Sequence, residues 1–206
     1  MRPNSFNGKL IVFSGIDGSG KTTQSKILHK FFSNIDISSI LAFEPTNLPI
    51  GNFIRETILQ NKQHYDPSQE ALLFAADRIL HQNNIVIPAL KRNVHVILDR
   101  YIFASLSYQH ARGVDIDLIW RLNSFVIAPD IAFLLDIPPE VGLNRKRSQL
   151  DWFEEQLELQ KTVRVFYLQL VEQGHLILIN ATPHPRKIHE EIIEQLLARK
   201  IIRLRA

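Results

Sequence analysis

The chain has 206 residues, with 24 Lys and Arg against 21 Asp and Glu, 45% hydrophobic and 22% charged. That composition is ordinary for a globular domain and excludes a disordered chain, a collagen and a stand-alone membrane protein. With no cysteine, disulfides, cysteine zinc sites and cysteine nucleophiles are excluded, and a formal charge of +3 is too small to imply nucleic-acid binding.

In chain order, short β-branched runs read as strands at Leu10–Ser14, Ser38–Phe43, Val94–Asp99, Ile131–Asp136 and Leu176–Asn180. Helical spacing fills 22–32, 51–60, 67–90, 102–126, 138–173 and 185–202. Alternating strand and helix predicts an α/β fold with a parallel sheet covered on both faces, and the unbroken apolar strands agree. Asp66-Pro67-Ser68-Gln69 signs one helix start, and Asp115 can cap the helix carrying Leu118, Ile119 and Leu122. No composition break marks a second domain, so 1–206 reads as one. The apolar runs are too short to span a membrane, and MRPNSFNGK lacks the apolar core of a signal peptide. A soluble cytoplasmic protein without membrane or nucleic-acid partners is expected.

Ligands of parallel α/β sheets bind beyond the carboxyl ends of strands. After the first strand stands Gly15-Ile16-Asp17-Gly18-Ser19-Gly20-Lys21-Thr22, followed by Thr23. This matches the phosphate-loop pattern G-x-x-x-x-G-K-[ST]. Its glycines let successive backbone N–H groups curl round phosphate oxygens, and the following helix points its positive end at the same charge. Lys21 reaches the β- and γ-phosphates, and the Thr22 hydroxyl can ligate Mg²⁺. A chance match in a chain this long has a probability of roughly 1% at average glycine usage. A nucleoside triphosphate with Mg²⁺ is therefore expected.

Base-reading N-K-x-D, the mark of GTPase switches, is absent: the one Asn-Lys pair runs Asn61-Lys62-Gln63-His64. A small kinase fits better. The third strand ends in Asp99-Arg100-Tyr101, where an acid can organise Mg²⁺ and an arginine can grip phosphate. On the helix at 67–90, Phe74 and Arg78 are four apart and share a face, a plane and a donor fork that suit a nucleobase. Read alone, Phe74 could equally be core and Arg78 could pair with Asp77.

The segments SGIDGSGKTTQ, FEPTNLPIGNFIRETIL, ALLFAADRILH, VILDRYIFASLSYQHARGVD, PDIAFLLDIPPEVGLNRKR and FEEQLELQKTVRVFYLQL together resemble the thymidylate kinase family over nearly the whole chain. The resemblance implies a three-layer P-loop fold with a five-stranded parallel sheet, a homodimer, and transfer of phosphate from ATP to thymidine monophosphate. It assigns Gly15 to Thr23 to ATP, Lys21 to catalysis, and Thr22 and Asp99 to Mg²⁺. Asp17 would approach the acceptor's 3′-hydroxyl, and Arg55 and Arg100 would hold its phosphate. Phe74 would stack on thymine and Arg78 bond its edge. Tyr108 would press the sugar, and Gln109 would sit near the base. A lid at about 144–152 would supply a catalytic arginine, Arg145 or Arg147, because this phosphate loop has none.

The chain departs from the family pattern in three places. Glu44-Pro45-Thr46-Asn47-Leu48-Pro49 replaces the EP-Gly-Gly of many bacterial members and is closer to archaeal-type ones. Trp152 stands where a basic residue often follows the lid acid, and Asn180-Ala181 where Asp-Ala is common. The rival reading is a deoxynucleoside kinase with Glu44 as general base, and a third is an inactive nucleotide-binding paralogue. Four of the last eight residues (Arg199, Lys200, Arg203, Arg205) are basic and none is acidic. The net charge thus reports a tail, read as a solvated helix end.

Overall fold

Three strands with apolar runs at their centres form the middle of the sheet. In the computed structural model, which describes residues 1–60, 65–145 and 157–203, β1 (Leu10–Ser14) lies between β3 (His95–Asp99) and β4 (Ile131–Asp136). β2 (Ser39–Phe43) and β5 (Ile177–Asn180) take the edges, giving the order β2-β3-β1-β4-β5. Every pairing is parallel. All of β1 is buried, whereas β2 and β5 alternate towards exposure, as edge strands must. The stacked rings of Phe13 and Phe133, 5.5 Å apart, tie β1 to β4 on one sheet face.

The helices are α1 (Lys21–Asn34), α2 (Pro49–Phe53), α3 (Pro67–His81), α4 (Ile87–Lys91), α5 (Ile102–Ala111), α6 (Ile116–Leu122), α7 (Pro139–Arg145), α8 (Leu157–Glu172) and α9 (Pro185–Ala198). Several stretches of helical spacing are divided, beginning with 51–60, where α2 passes into a π-helical stretch, Ile54–Leu59. Over 67–90 the chain passes through a π-helical stretch, Gln82–Val86, before α4, where Pro88 lacks the N–H that an unbroken α-helix would use. The 102–126 pattern breaks at Gly113, whose φ is +92°, and restarts where the Asp115 side chain accepts the Asp117 N–H at 2.9 Å. Within 138–173 the described parts are α7 and α8, and residues 146–156 lie outside the described residues. The α3 start forms as read: Ser68 N donates to Asp66 at 2.8 Å and Asp66 N to Gln69 at 3.0 Å. The C-terminal segment is not wholly solvated, because α9 ends at Ala198 and Ile202 is buried in the core. Among the described residues, no helix is long and apolar enough to cross a membrane.

Register positions the site. Phe13 and Phe43 both pair with Asp99, so three strand ends finish level at one carboxyl edge. The segments that continue from them (Gly15–Lys21, Glu44–Pro45 and Arg100–Tyr101) therefore converge, as expected where parallel strand order reverses.

Candidate active site

The loop after β1 turns at Gly15, Gly18 and Gly20, all with positive φ. At Gly18 a side chain is also sterically impossible, since a Cβ would lie 2.2 Å from the Gly142 carbonyl of α7. Lys21 folds across the loop and donates to the carbonyls of Gly15 (3.1 Å) and Ile16 (2.8 Å), with its amine 3.8 Å from Asp17. Thr22 opens α1 and donates its hydroxyl to Asp99 at 2.5 Å. Sequence reading had placed Thr22 and Asp99 at one metal, and folding brings them together from 77 residues apart. One hydroxyl and one carboxylate are hard oxygen donors that suit Mg²⁺, which keeps water and substrate phosphate in most of its shell.

Arg100 has φ +68°, a conformation rare for a side-chain-bearing residue and typical of functional sites. Its guanidinium pairs with Asp17 and lies 5.4 Å from the centre of the Tyr108 ring. Arg55 bonds the carbonyls of Pro45 and Thr46 and the Asn47 side chain (2.7 Å), and covers the Phe43 ring at 5.7 Å. Both arginines line a cavity of about 570 Å³, together with Phe74, Arg78, Tyr108 and Gln109. Every acceptor residue expected from the sequence, Asp17 included, therefore faces one space.

Arg78 is more committed than expected. It is buried and donates to Glu44 (2.7 Å), Asn123 (2.5 Å) and Ser105 (3.3 Å), while its guanidinium lies 5.6 Å from the Tyr101 ring centre. Its partner is not Asp77, which instead accepts the Thr46 N–H (2.8 Å) and hydroxyl (2.5 Å). That pairing explains the EPT variant: Thr46 ties the β2–α2 loop to α3. Glu44 is held on both oxygens, by Arg78 and by His81 at 3.1 Å. These bonds fix the orientation of the Glu44 carboxylate and leave each oxygen a further lone pair.

A second groove of about 520 Å³ runs along the other side of the phosphate loop, lined by Gly18 to Gln24, Arg145, Pro183, Pro185 and Ile188. Arg145 donates to the carbonyls of Gly18 and Ala181, each at 3.3 Å. Arg147, and the expected lid from 146 onwards including Trp152, lie outside the described residues. The two prolines were missed by sequence reading, although the rule applied to the other strands reaches them just past the end of β5. Asn180 at that end accepts the Thr182 N–H (3.0 Å) and hydroxyl (2.7 Å), a turn that aspartate would form equally well.

The cavity and the groove share Asp17, Thr22, Asp99 and Arg100. A phosphate loop that serves two nucleotide-sized spaces through one junction is the arrangement of a P-loop phosphotransferase. A family model for thymidylate kinase matches residues 13–192. A "Probable thymidylate kinase" of Pyrococcus abyssi is 40% identical over 193 residues, covering 90% of this chain and 94% of that one. One from Methanocaldococcus jannaschii is 42% identical over 184 residues, covering 89% and 93%. A "Thymidylate kinase" of Brachyspira hyodysenteriae is 36% identical over 201 residues, covering 96% and 97%. The chain belongs to the thymidylate kinase family.

Proposed function

We propose that the chain transfers the γ-phosphoryl group of ATP to thymidine monophosphate, giving ADP and thymidine diphosphate. The observation that carries this is the shared junction: groove and cavity meet at Asp17, Thr22, Asp99 and Arg100, where two phosphates would have to meet. The acceptor's phosphate has a second pKa of about 6, so its attacking oxygen is largely ionised near neutral pH. Transfer then needs alignment and charge neutralisation more than a base.

In this reading ATP lies in the groove, its phosphates on the Gly15–Thr23 backbone and Lys21. The flat faces of Pro183 and Pro185 suit its purine. Thr22 and Asp99 would hold Mg²⁺, which would neutralise phosphate charge. Thymidine monophosphate occupies the cavity, with Phe74 against the base, Arg78 at its edge, Tyr108 and Asp17 at the sugar, and Arg55 and Arg100 on the phosphate. Gln109 lies beside the base. Arg145 at the end of α7, or Arg147 beyond the described residues, supplies positive charge to the moving group. The rival nucleoside kinase, with Glu44 as base, would leave Arg55 and Arg100 lining the acceptor cavity with no phosphate to hold.

A homodimer fits the exposed apolar stripe of α3, where Leu72 and Ile79 stand seven apart, 54% and 36% exposed. The cysteine-free, ATP-dependent chemistry suits the cytoplasm. A coupled ADP-release assay with thymidine, thymidine monophosphate and uridine monophosphate tests the reading. Turnover with thymidine monophosphate foremost is expected. Turnover with thymidine alone would establish the nucleoside kinase, and turnover with none the inactive paralogue.

A further inference from the structure

Gln160 is an anomaly on α8. The buried face of that helix consists of Gln160, Val163, Tyr167 and Leu170, an apolar stripe at helical spacing interrupted by one amide. Gln160 is 2% exposed. Burying an amide costs free energy unless its polar atoms are bonded. One of its bonds is explicit: the Tyr108 hydroxyl donates to Gln160 Oε1 at 3.3 Å. Tyr108 lines the acceptor cavity, and Gln160 does not.

The Tyr108 ring is held from three sides. Arg100 lies 5.4 Å from its centre, the Tyr167 ring meets it nearly edge-on at 6.5 Å and 81°, and Gln160 takes the hydroxyl. The Tyr167 contact limits where the ring can lie, whereas the hydrogen bonds that Arg100 and Gln160 both make with the Tyr108 side chain are directional and oppose rotation and slippage of the ring. Burial pushes the Tyr108 phenol up to about 12 against the opposing charge of Arg100, so the hydroxyl keeps its proton and remains a donor. One turn further along α8, Arg164 grips Asp136 at the end of β4 with two bonds of 2.7 and 2.8 Å. That clamp ties α8 to the end of β4 one turn from Gln160.

We propose that Gln160 is a positioning residue for the acceptor site: it holds the Tyr108 hydroxyl and thereby fixes the ring edge presented to the acceptor's sugar. This rests on the acceptor reading given above. Gln160 touches no substrate and acts only through Tyr108. Its effect therefore falls on acceptor affinity and on discrimination between deoxyribose and ribose, leaving the ATP groove on the far side of the phosphate loop untouched.

The test uses the full chain as wild type, Gln160→Met, Tyr108→Phe and the double variant. Methionine matches glutamine in length and removes only the polar atoms. Steady-state rates are measured with thymidine monophosphate and with its 2′-hydroxy counterpart, and acceptor affinity is measured by calorimetry without ATP. Gln160→Met should raise the KM for thymidine monophosphate about three- to tenfold, the range of one neutral hydrogen bond. The KM for ATP should stay put, kcat should stay within about twofold, and preference over the ribose analogue should fall. In the Tyr108→Phe background the same substitution should add nothing, because the coupling runs through the hydroxyl. An unchanged acceptor KM in Gln160→Met overturns the proposal, and so does a full effect persisting without the hydroxyl. A wild-type chain that neither binds nor phosphorylates thymidine monophosphate removes the acceptor reading and this inference with it. An active wild type with an indifferent Gln160→Met removes the inference alone.

Discussion

Glu44→Gln separates two accounts of the same carboxylate. The Arg78–Glu44 pair is 2.7 Å apart, with side chains 2% and 3% exposed, and His81 bonds the second oxygen at 3.1 Å. The substitution keeps the shape and one acceptor but removes the charge, stranding a buried guanidinium. Two unit charges 4 Å apart are worth about 4 kcal/mol at an effective dielectric of 20. Removing one partner of a buried pair costs about 3–5 kcal/mol, and the retained acceptor argues for the lower end, about 3 kcal/mol. For a chain of this size each kcal/mol lowers Tm by about 2–4 °C, so a fall of about 6–12 °C is expected in thermal denaturation. At a temperature where the variant is folded, its KM for thymidine monophosphate should rise as the Arg78 fork reorients, while kcat at saturating acceptor stays within about tenfold. Loss of a general base would instead cost about 10²–10⁴ in kcat. A hundredfold fall in kcat with unchanged KM would refute the structural account and restore the base. An unchanged Tm would refute the buried-pair energetics.

Four further outcomes are expected. Lys21→Ala should abolish transfer by removing a charge from the donor phosphates, and near-normal kcat in the ADP-release assay would contradict it. Phe74→Ala should raise the KM for thymidine monophosphate at least tenfold more than that for ATP, whereas equal losses would mark Phe74 as core. Gly142→Ala should lower both Tm and kcat: helix propensity favours alanine by about 1 kcal/mol, but its Cβ would lie 2.4 Å from the Asp17 carbonyl and push the phosphate loop off α7, so a stabilised, fully active variant would show that the loop gives way freely. His95 and His189 are both lowered by burial, and Nδ1 of His95 accepts the Lys9 N–H at 2.8 Å. Their unfolded forms take up protons first as pH falls, so the stability they contribute is complete above about 6.5 and is lost as pH drops through their folded values. Urea midpoints should therefore fall between pH 7.5 and 5.5, and His95→Gln, which keeps an acceptor but cannot titrate, should reduce that fall.

Local rules account for what was readable in the chain. β1 and β4 have the bounds expected, and Asp66 and Asp115 cap their helices as read, because apolar runs and caps depend on neighbours a few residues away. The phosphate loop was legible for the same reason: its glycines, Lys21 and Thr22 are contiguous. Of the breaks within long helical patterns, the Asp115 cap signed one, and the π-helical ones were not legible. The π-helical turn at Gln82–Val86 leaves the apolar periodicity intact, and hydrophobic spacing cannot report it.

By itself, then, the sequence determined the fold class, the phosphate loop and the set of residues at the strand ends, since each follows from adjacent side chains and from the strand-end rule. Partner choice was decided only by the tertiary structure. Arg78 has Asp77 beside it in the chain, yet it bonds Glu44, Asn123 and Ser105, 34, 45 and 27 residues away. Nothing adjacent to Gln160 in the chain marks it as buried, yet α8 turns it inward onto Tyr108, 52 residues distant. The physical reason is the same in both cases. A buried polar group must be satisfied by whatever packing brings within about 3 Å, and packing is a property of the whole chain.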